Sequence, residues 1–455
     1  MSKRKGKAIE FDALEQINPH AAGIDVHAEE VFVAVPQGRD AESVRSFPTF
    51  TVDLHRLADW LESCSIETVA MESTGVYWIP LYEILEDRGF EVYLVNARHV
   101  KNVPGRKTDV SDCQWIQQLH TYGLLRASFR PSAEICSIRA LVRHREMLVR
   151  YRAAHIQHMQ KALQLMNIKL TNVLSDITGV TGMKIIRAIL AGERDPQVLA
   201  SFRHSQCARS EAEITKSLQG NYRREHLFAL RQAVELYDMY DRQIQACDAE
   251  LEALYRDFDP PRKPDPTVNR PPQPSKAKRR KNQASFDLTR SLYQLTGVDL
   301  TQVDGIDALT AQTVISEIGL DMNKWRTDKH FTSWLSVCPH NEVSAGKVKR
   351  RGTAKTRNRA NTALRVAAQT LARSDSALGA YYRRMRAKHG SPKAIVATAH
   401  KLARIIYHML KYRVDYADPG AAHYEAQHKA RLIRNLQHRA AKLGFQLQPV
   451  RNAVS

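Results

Sequence analysis

A chain of 455 residues is long enough for two or three domains, each with its own hydrophobic core. Its 68 lysines and arginines exceed its 48 aspartates and glutamates, and the formal net charge of +20 favours a polyanionic partner, most often nucleic acid. The six scattered cysteines form no CxxC pair, which argues against a zinc site or a disulfide framework. We see no apolar leader and no run approaching about 18 uncharged apolar residues, so we expect a soluble, cytoplasmic protein without a membrane partner.

The first 130 residues predict strands and helices in alternation. Apolar residues on both sides of a polar turn predict two strands within 22–37, and residues 42–49 could supply a third. Such alternation is typical of a mixed α/β sheet with crossover connections. The next predicted elements are a helix, a strand, a helix ending at Gly89, a strand and a helix, at 51–64, 67–73, 76–89, 91–97 and 109–121.

The middle of the chain, residues 134–256, has an almost wholly helical pattern. Apolar residues recur at spacings of three and four, or their sums, from Leu227 to Tyr255, which indicates a long helix with one apolar stripe. Asp241 and Asp248 interrupt that stripe. Two interpretations therefore stay open: a coiled coil that joins two copies of the chain, or packing against helices of the same chain.

The C-terminal part begins after a segment rich in proline, lysine and arginine, residues 259–285, which predicts an extended or disordered linker. A mainly helical unit is expected at 286–413, followed by a basic helical tail at 418–455. Gly305 and the apolar helix after it resemble a helix-hairpin-helix, whose backbone amides bind a DNA phosphate. A plain helical turn would give the same pattern.

Four acidic residues fall at notable positions of the predicted N-terminal sheet. Asp25 lies in the first strand, Glu72 ends the fourth, and the pair Asp109 and Asp112 opens the last helix. Taken singly, each has an ordinary structural explanation, such as a helix N-cap for Asp109. Together they match a two-metal phosphodiester site, because Mg²⁺ prefers hard oxygen ligands and two ions carry four positive charges.

Cations accompany these acids and also a serine in the C-terminal unit. Arg106 and Lys107 precede the paired aspartates, and we expect them to face nucleic acid while the aspartates face a metal. A serine such as Ser344 is a poor nucleophile at neutral pH unless a base or metal takes its proton and cations stabilise the developing charge. The cations after it are predicted to bind nucleic acid: Lys347, Lys349, Arg350, Arg351, Lys355, Arg357 and Arg359.

Several motifs in order resemble one family. GIDVH, AMESTGVYW, VNARHVKN and GRKTDVSDC, within about residues 20–130, resemble the RuvC-like DEDD domain of a class of bacterial insertion-sequence transposases. FTSWLSVCPHN, S-A-G-K and RRGTAKTRNRANTALR resemble the C-terminal domain of the same class, where a serine is the nucleophile. The usual pattern has Ser-Gly directly, whereas this chain has Ser344-Ala345-Gly346; Ser336, inside an amphipathic run, is the less favoured candidate.

The resemblance implies an RNase-H-like N-terminal domain with Mg²⁺ held by the four acids, and Ser344 as the recombination nucleophile. It further implies a structured bridge RNA that pairs with donor and target DNA, and a homodimer that assembles to a tetramer. In such an assembly the acids of one protomer work with the serine of another, through a phosphoserine–DNA intermediate and strand exchange.

Two other functions remain possible at this point. A metal-dependent nuclease or junction resolvase would use the acids to activate water, and Ser344 would only contact phosphate. A non-enzymatic nucleic-acid scaffold would use the acids structurally. We rank the scaffold last, because isolated acids in strands rarely persist without a role.

Overall fold

We describe the fold from a computed structural model. It describes residues 15–73, 75–95, 109–260, 265, 269, 271–273, 281–345, 347–350, 352–353 and 358–448. The chain divides into two compact units, Met1–Arg130 and Pro131–Ser455. Among the described residues, no helix is both long and apolar enough to cross a membrane.

The first unit contains a mixed five-stranded sheet with the strand order β3-β2-β1-β4-β5. β1 pairs antiparallel with β2 and parallel with β4, so it lies at the centre of the sheet and all six of its residues are buried. The strands are β1 (Ala21–Val26), β2 (Glu30–Ala34), β3 (Val44–Pro48), β4 (Thr68–Glu72) and β5 (Glu91–Val95).

Among the described residues of the first unit, three helices accompany the sheet: α1 (Thr51–Ser63), α2 (Trp78–Asp87) and α3 (Asp109–Thr121). α1 buries the apolar face that its spacing predicts, including Leu54, Leu57 and Leu61. The predicted order of strands and helices from 22 to 121 is confirmed, with small shifts at the element ends. The sheet and its helices therefore form the mixed α/β domain that the alternation indicated.

Gly23 allows α3 to lie directly against β1. A Cβ atom built on this glycine would lie 2.2 Å from the backbone nitrogen of Gln117 and 2.3 Å from the carbonyl oxygen of Cys113. Real Cβ atoms do not approach other atoms so closely, so any side chain here would push the helix away. The glycine of GIDVH therefore fixes the position of α3 on the sheet.

His120 joins the other end of α3 to the sheet. The Thr68 hydroxyl donates its one proton to the carbonyl of Glu91 at 3.0 Å, so it accepts from Nε2 of His120 at 2.9 Å. This network assigns the neutral Nε2–H tautomer. Burial lowers the pKa of His120 to about 4, which keeps the ring neutral at physiological pH.

The second unit is mostly helical, and two long antiparallel helices, α4 (Ala133–Leu165) and α9 (Arg224–Asp257), pack along each other. Apolar side chains of both helices, such as Leu163 and Leu230, share one core with the short helices between them. Packing within the chain thus accounts for the buried residues of the stripe from Leu227 to Tyr255. The short helices are α5 (Leu170–Val173), α6 (Val180–Ala191), α7 (Pro196–Ser201) and α8 (Glu211–Ser217).

The two aspartates that interrupt the stripe form ion pairs with arginines of α4. Arg145 donates to both carboxylate oxygens of Asp248, at 2.5 and 3.3 Å, and both side chains are buried. One heptad along the helices, the buried Arg152 donates to one carboxylate oxygen of Asp241, whose side chain is partly exposed. Each aspartate that interrupts the stripe therefore has an opposite charge on α4.

The end of the predicted linker is fixed on this helix pair. The carbonyl of Asn282 accepts from Arg145, its side-chain oxygen accepts from Arg152, and the backbone N–H of Ser285 donates to Asp248. Most of the linker before Lys281 lies outside the described residues. The helices before and after the linker belong to one compact unit, and the predicted divisions inside that unit remain predictions.

The C-terminal part of the second unit combines helices with a short hairpin. Gly305 adopts a φ of +86° between α10 and α11, and the predicted helix-hairpin-helix there remains a prediction. The predicted basic tail is helical, and α16 has no buried residue. The elements are α10 (Leu288–Thr296), α11 (Ala308–Ile318), α12 (Asp328–Trp334), β6 (Glu342–Ser344), β7 (Lys347–Arg350), α13 (Arg359–Thr370), α14 (Ala377–His389), α15 (Ser391–Tyr412) and α16 (Ala421–Lys442).

Candidate active-site residues

Asp25 and Glu72 occupy adjacent positions on neighbouring strands. β1 and β4 pair in parallel register up to Ile24 and Met71, so the next residue on each strand is one of these two acids. Both carboxylates are buried, with Asp25 6% and Glu72 9% exposed. Residues at equivalent positions of parallel strands point to the same face, so the sheet brings two buried carboxylates together.

Asp112 approaches the same place from α3. It directly precedes Cys113, whose carbonyl oxygen would meet a Cβ on Gly23, two residues from Asp25. The pKa of Asp25 is raised, chiefly by burial and further by the negative charges of Glu72 and Asp112. Glu72 and Asp112, two of the other predicted acids, are therefore near enough for their charges to act on Asp25.

His27 is the residue that sequence reasoning missed at this site. Its Nε2 lies 3.2 Å from Oδ2 of Asp25, and this contact lowers the pKa of that carboxyl against the effect of burial. The sequence signal for this contact was that His27 follows Asp25 by two residues in GIDVH, because residues i and i+2 of an extended chain lie on the same side.

Asp109 begins α3 and lies about one helical turn before Asp112. Its side chain lies outside the described residues. Among the described residues, no group of three or more His, Cys, Asp or Glu side chains is arranged to hold a metal ion. The donors nevertheless fit a hard divalent cation, because carboxylate oxygens are hard ligands and the buried Asp25, whose pKa is raised by burial and by the charges of Glu72 and Asp112, gains from a positive charge beside it.

Ser344 lies at the tip of the hairpin in the second unit. It is the last residue of β6 and pairs with Lys347, the first residue of β7, so the turn has two residues. Ala345 adopts a φ of +50°, as the twist of a two-residue hairpin turn requires. Ser344, Lys347 and Lys349 are all exposed, so the serine is presented to solvent among cations.

Of the other predicted nucleic-acid-binding residues, the structure describes the side chain of Arg359. Arg359 begins α13 and forms an ion pair with Glu146 of α4 at 2.5 Å, so part of its charge is already balanced. Several of the predicted residues lie outside the described part of the chain, or their side chains do: Arg106, Lys107, Arg350, Arg351, Lys355 and Arg357.

Two family models match the chain. Residues 22–168 match a model of the IS110 DEDD type described as a transposase, and residues 299–383 match one described as "Transposase IS116/IS110/IS902 family". The first match contains all four predicted acids, and the second contains Ser344 with the basic segment after it. No curated protein matches the chain.

Proposed function

Because the chain is a transposase of the IS110 family, and so an enzyme that cleaves and rejoins DNA, we propose that it excises and integrates an insertion sequence with Ser344 as its covalent nucleophile. A DEDD transposase domain implies dependence on a divalent metal, typically Mg²⁺. The observation that carries the acidic half of this proposal is the buried Asp25, which the parallel register of β1 and β4 places beside the buried Glu72; its pKa is raised by burial and further by the charges of Glu72 and Asp112.

The four acids would hold the metal. Asp25, Glu72 and Asp112 supply carboxylates from two strands and a helix, and Asp109 supplies the fourth from the first turn of α3. A bound Mg²⁺ would polarise phosphate oxygens and stabilise developing negative charge. His27, in contact with Asp25, orients that carboxylate and lowers its pKa against the larger effect of burial.

Ser344 would attack the DNA phosphorus through its Oγ. The P–O bond to one deoxyribose oxygen breaks, that oxygen leaves with a proton, and the phosphate stays joined to the serine. A deoxyribose hydroxyl of another strand then attacks the phosphoserine and releases Ser344, so rejoining needs no other energy source. Lys347, which pairs with Ser344 across the hairpin, and Lys349 on the same strand would balance the phosphate charge.

A guide RNA and an oligomer complete the proposal. The net charge of +20 supports contact with a large polyanion besides DNA, as a structured bridge RNA that pairs with donor and target DNA would be. The acids lie in the first unit and the serine in the second. We propose that a homodimer assembles to a tetramer in which the acids of one copy serve the serine of another.

The test is a denaturing gel for protein-linked DNA. The wild-type protein would be mixed with the RNA flanking its element, labelled donor and target DNA, and Mg²⁺. We expect a protein-linked band that is lost in both Ser344→Ala and Asp112→Ala. Ser333→Ala and Glu67→Ala, which change an exposed serine and an exposed acid of the same units, should keep the band.

Cleavage without a protein-linked band, lost in Asp112→Ala but kept in Ser344→Ala, would contradict the covalent mechanism. That result would favour the metal-dependent nuclease or junction resolvase, with Ser344 as a phosphate contact. Retained activity in Asp112→Ala would contradict the metal site itself.

A further inference from the structure

A cavity of about 650 Å³ opens in the second unit beside the basic hairpin. Its wall is largely apolar, with Val337, Met385 and Val396 among the lining side chains. Asn341, three residues before Ser344, lies at its edge and offers an amide. This volume and this mixture of apolar wall and few polar groups are typical of a site for a small planar ligand.

Tyr381 gives the cavity an aromatic wall that is held in place. The ring is half-buried, and Nζ of Lys401 lies 4.5 Å from its centroid. The ring of Tyr424 from α16 meets it edge-on with centroids 6.2 Å apart. An aromatic side chain fixed on several sides is a suitable platform for stacking a base, because little side-chain entropy remains to be lost.

The surroundings of this ring are strongly positive. Among the lining residues, Arg365 and Lys393 are cations and no residue is an aspartate or glutamate. The pKa of Lys401 is lowered by burial and by the positive charges of Arg384, Arg404 and Arg431.

Two of the arginines near Lys401 differ in how they are paired. Arg404 has a carboxylate partner, Asp328, whereas the buried Nε of Arg384 has no hydrogen-bond partner among the described residues. Cations that repel one another in this way are stabilised by an anion.

We propose that this cavity binds an unpaired nucleobase of a single-stranded nucleic acid, with the flanking phosphates on the cations around Tyr381. A base fits the apolar wall and the ring, and a phosphodiester fits the surplus charge. A base within an intact duplex is stacked and paired, so it cannot enter without being extruded. This inference rests on the proposed function for the contact with nucleic acid, but it assigns no role to Ser344, so the test below can fail while the covalent mechanism stands.

The test compares single strands with a duplex by fluorescence anisotropy. The full-length protein would be titrated into labelled DNA and RNA single strands of about 12 nucleotides, and into the matching DNA duplex. Ala397→Trp fills the cavity and Tyr381→Ala removes its ring. We expect both variants to bind the single strand about tenfold more weakly, with duplex binding unchanged.

Three controls make the result specific. Tyr381→Phe keeps the ring and should bind single strands like the wild type. Tyr151→Ala removes an exposed tyrosine of α4, away from the cavity lining, and should also bind normally. An abasic DNA strand, which has phosphates without bases, should bind the wild-type protein as weakly as the normal strand binds Ala397→Trp.

Equal losses for single strand and duplex, or no loss for either, would overturn the proposal. A preference for RNA over DNA, or the reverse, supports it and identifies which strand supplies the base. If Ala397→Trp lowers the melting temperature, the comparison of Tyr381→Ala with Tyr381→Phe and the abasic strand decide the question on folded protein.

Discussion

Gly23 shows how one residue can position the proposed active-site acids without taking part in the chemistry. It lies two residues before Asp25, and the absence of a Cβ lets α3 bring Asp112 towards the same carboxylate. A glycine in the middle of a strand costs stability through its backbone entropy. The close approach of the helix is the gain that offsets this cost.

Replacing this glycine should separate the acids. Gly23→Ala would place a Cβ against the backbone of α3, and we expect the free energy of unfolding of the first unit to fall by about 3 kcal/mol, together with loss of DNA cleavage. Urea unfolding and the gel assay would measure the two effects. Gly38→Ala is the control, because its φ of +86° costs about 1 kcal/mol but no atom lies near its Cβ. Equal losses in both variants would contradict the close-packing explanation.

His120 should make the stability of the first unit depend on pH. Its pKa of about 4 in the folded protein lies below the 6.5 of an unperturbed histidine, so the unfolded chain takes up the proton first. The stability is therefore complete above pH 6.5 and is lost as the pH falls towards 4, by about 3 kcal/mol.

Urea unfolding at several pH values would check this dependence. His120→Gln should flatten the profile between pH 4 and 6.5 relative to the wild type. His55→Gln, which changes an exposed histidine of α1, should leave the wild-type profile in place. A wild-type profile in His120→Gln would show that other groups cause the dependence.

At the scale of elements, the long helices α4 and α9 are held in register by charge. Arg145 and Arg152 are a heptad apart, as are Asp241 and Asp248, and the pairs form in reverse order because the helices are antiparallel. A buried charge is costly unless it is paired, so Asp248 depends on Arg145, and the buried Arg152 depends on the partly exposed Asp241. These pairs select one alignment of two apolar surfaces.

Removing one partner of an ion pair should lower the stability more than replacing both partners with apolar residues. Asp248→Ala leaves the buried Arg145 without its carboxylate, and we expect the free energy of unfolding of the second unit to fall by about 4 kcal/mol. Arg145→Leu combined with Asp248→Leu removes both charges and should recover most of that loss. Urea unfolding of the single and double variants would measure the difference. A double variant less stable than Asp248→Ala would contradict this account.

Local patterns predicted most of the elements, because strands and amphipathic helices depend on spacing along the chain. The grouping of Asp25 with Glu72 followed from two parallel strands that end at the same edge. The Gly23 contact, His27 and the cavity around Tyr381 could not be predicted in this way, since they depend on which elements pack together. The equal spacing of seven residues between the two arginines and between the two aspartates was present in the sequence. The ion pairs could be predicted from it only once α4 and α9 were known to pack antiparallel.

At the scale of the molecule, the surplus of cations should dominate DNA affinity. Binding that releases counterions weakens steeply with salt. With a net charge of +20, we expect duplex affinity to fall by roughly 10³-fold between about 50 and 200 mM salt. Anisotropy titrations at several salt concentrations would measure the slope, and a nearly flat slope would contradict a binding surface made mainly of lysine and arginine.

The location of the acids and the serine in different units allows a test of the composite site. Asp112→Ala and Ser344→Ala should each be inactive alone. If the acids of one copy serve the serine of another, mixing the two proteins should restore part of the recombination. The gel assay on mixtures at a fixed total concentration would show this. No recovery, with both proteins folded and oligomeric, would place the acids and the serine of one copy in the same site.

The paired charges of α4 and α9 also constrain how this protein can change in length. A residue inserted between Arg145 and Arg152 would rotate the rest of α4 by about 100° and carry one arginine away from its aspartate. Viable insertions and deletions between the pairs should therefore come in whole heptads and occur in both helices together. Natural variants of different length would then carry matched changes at two places far apart in the gene.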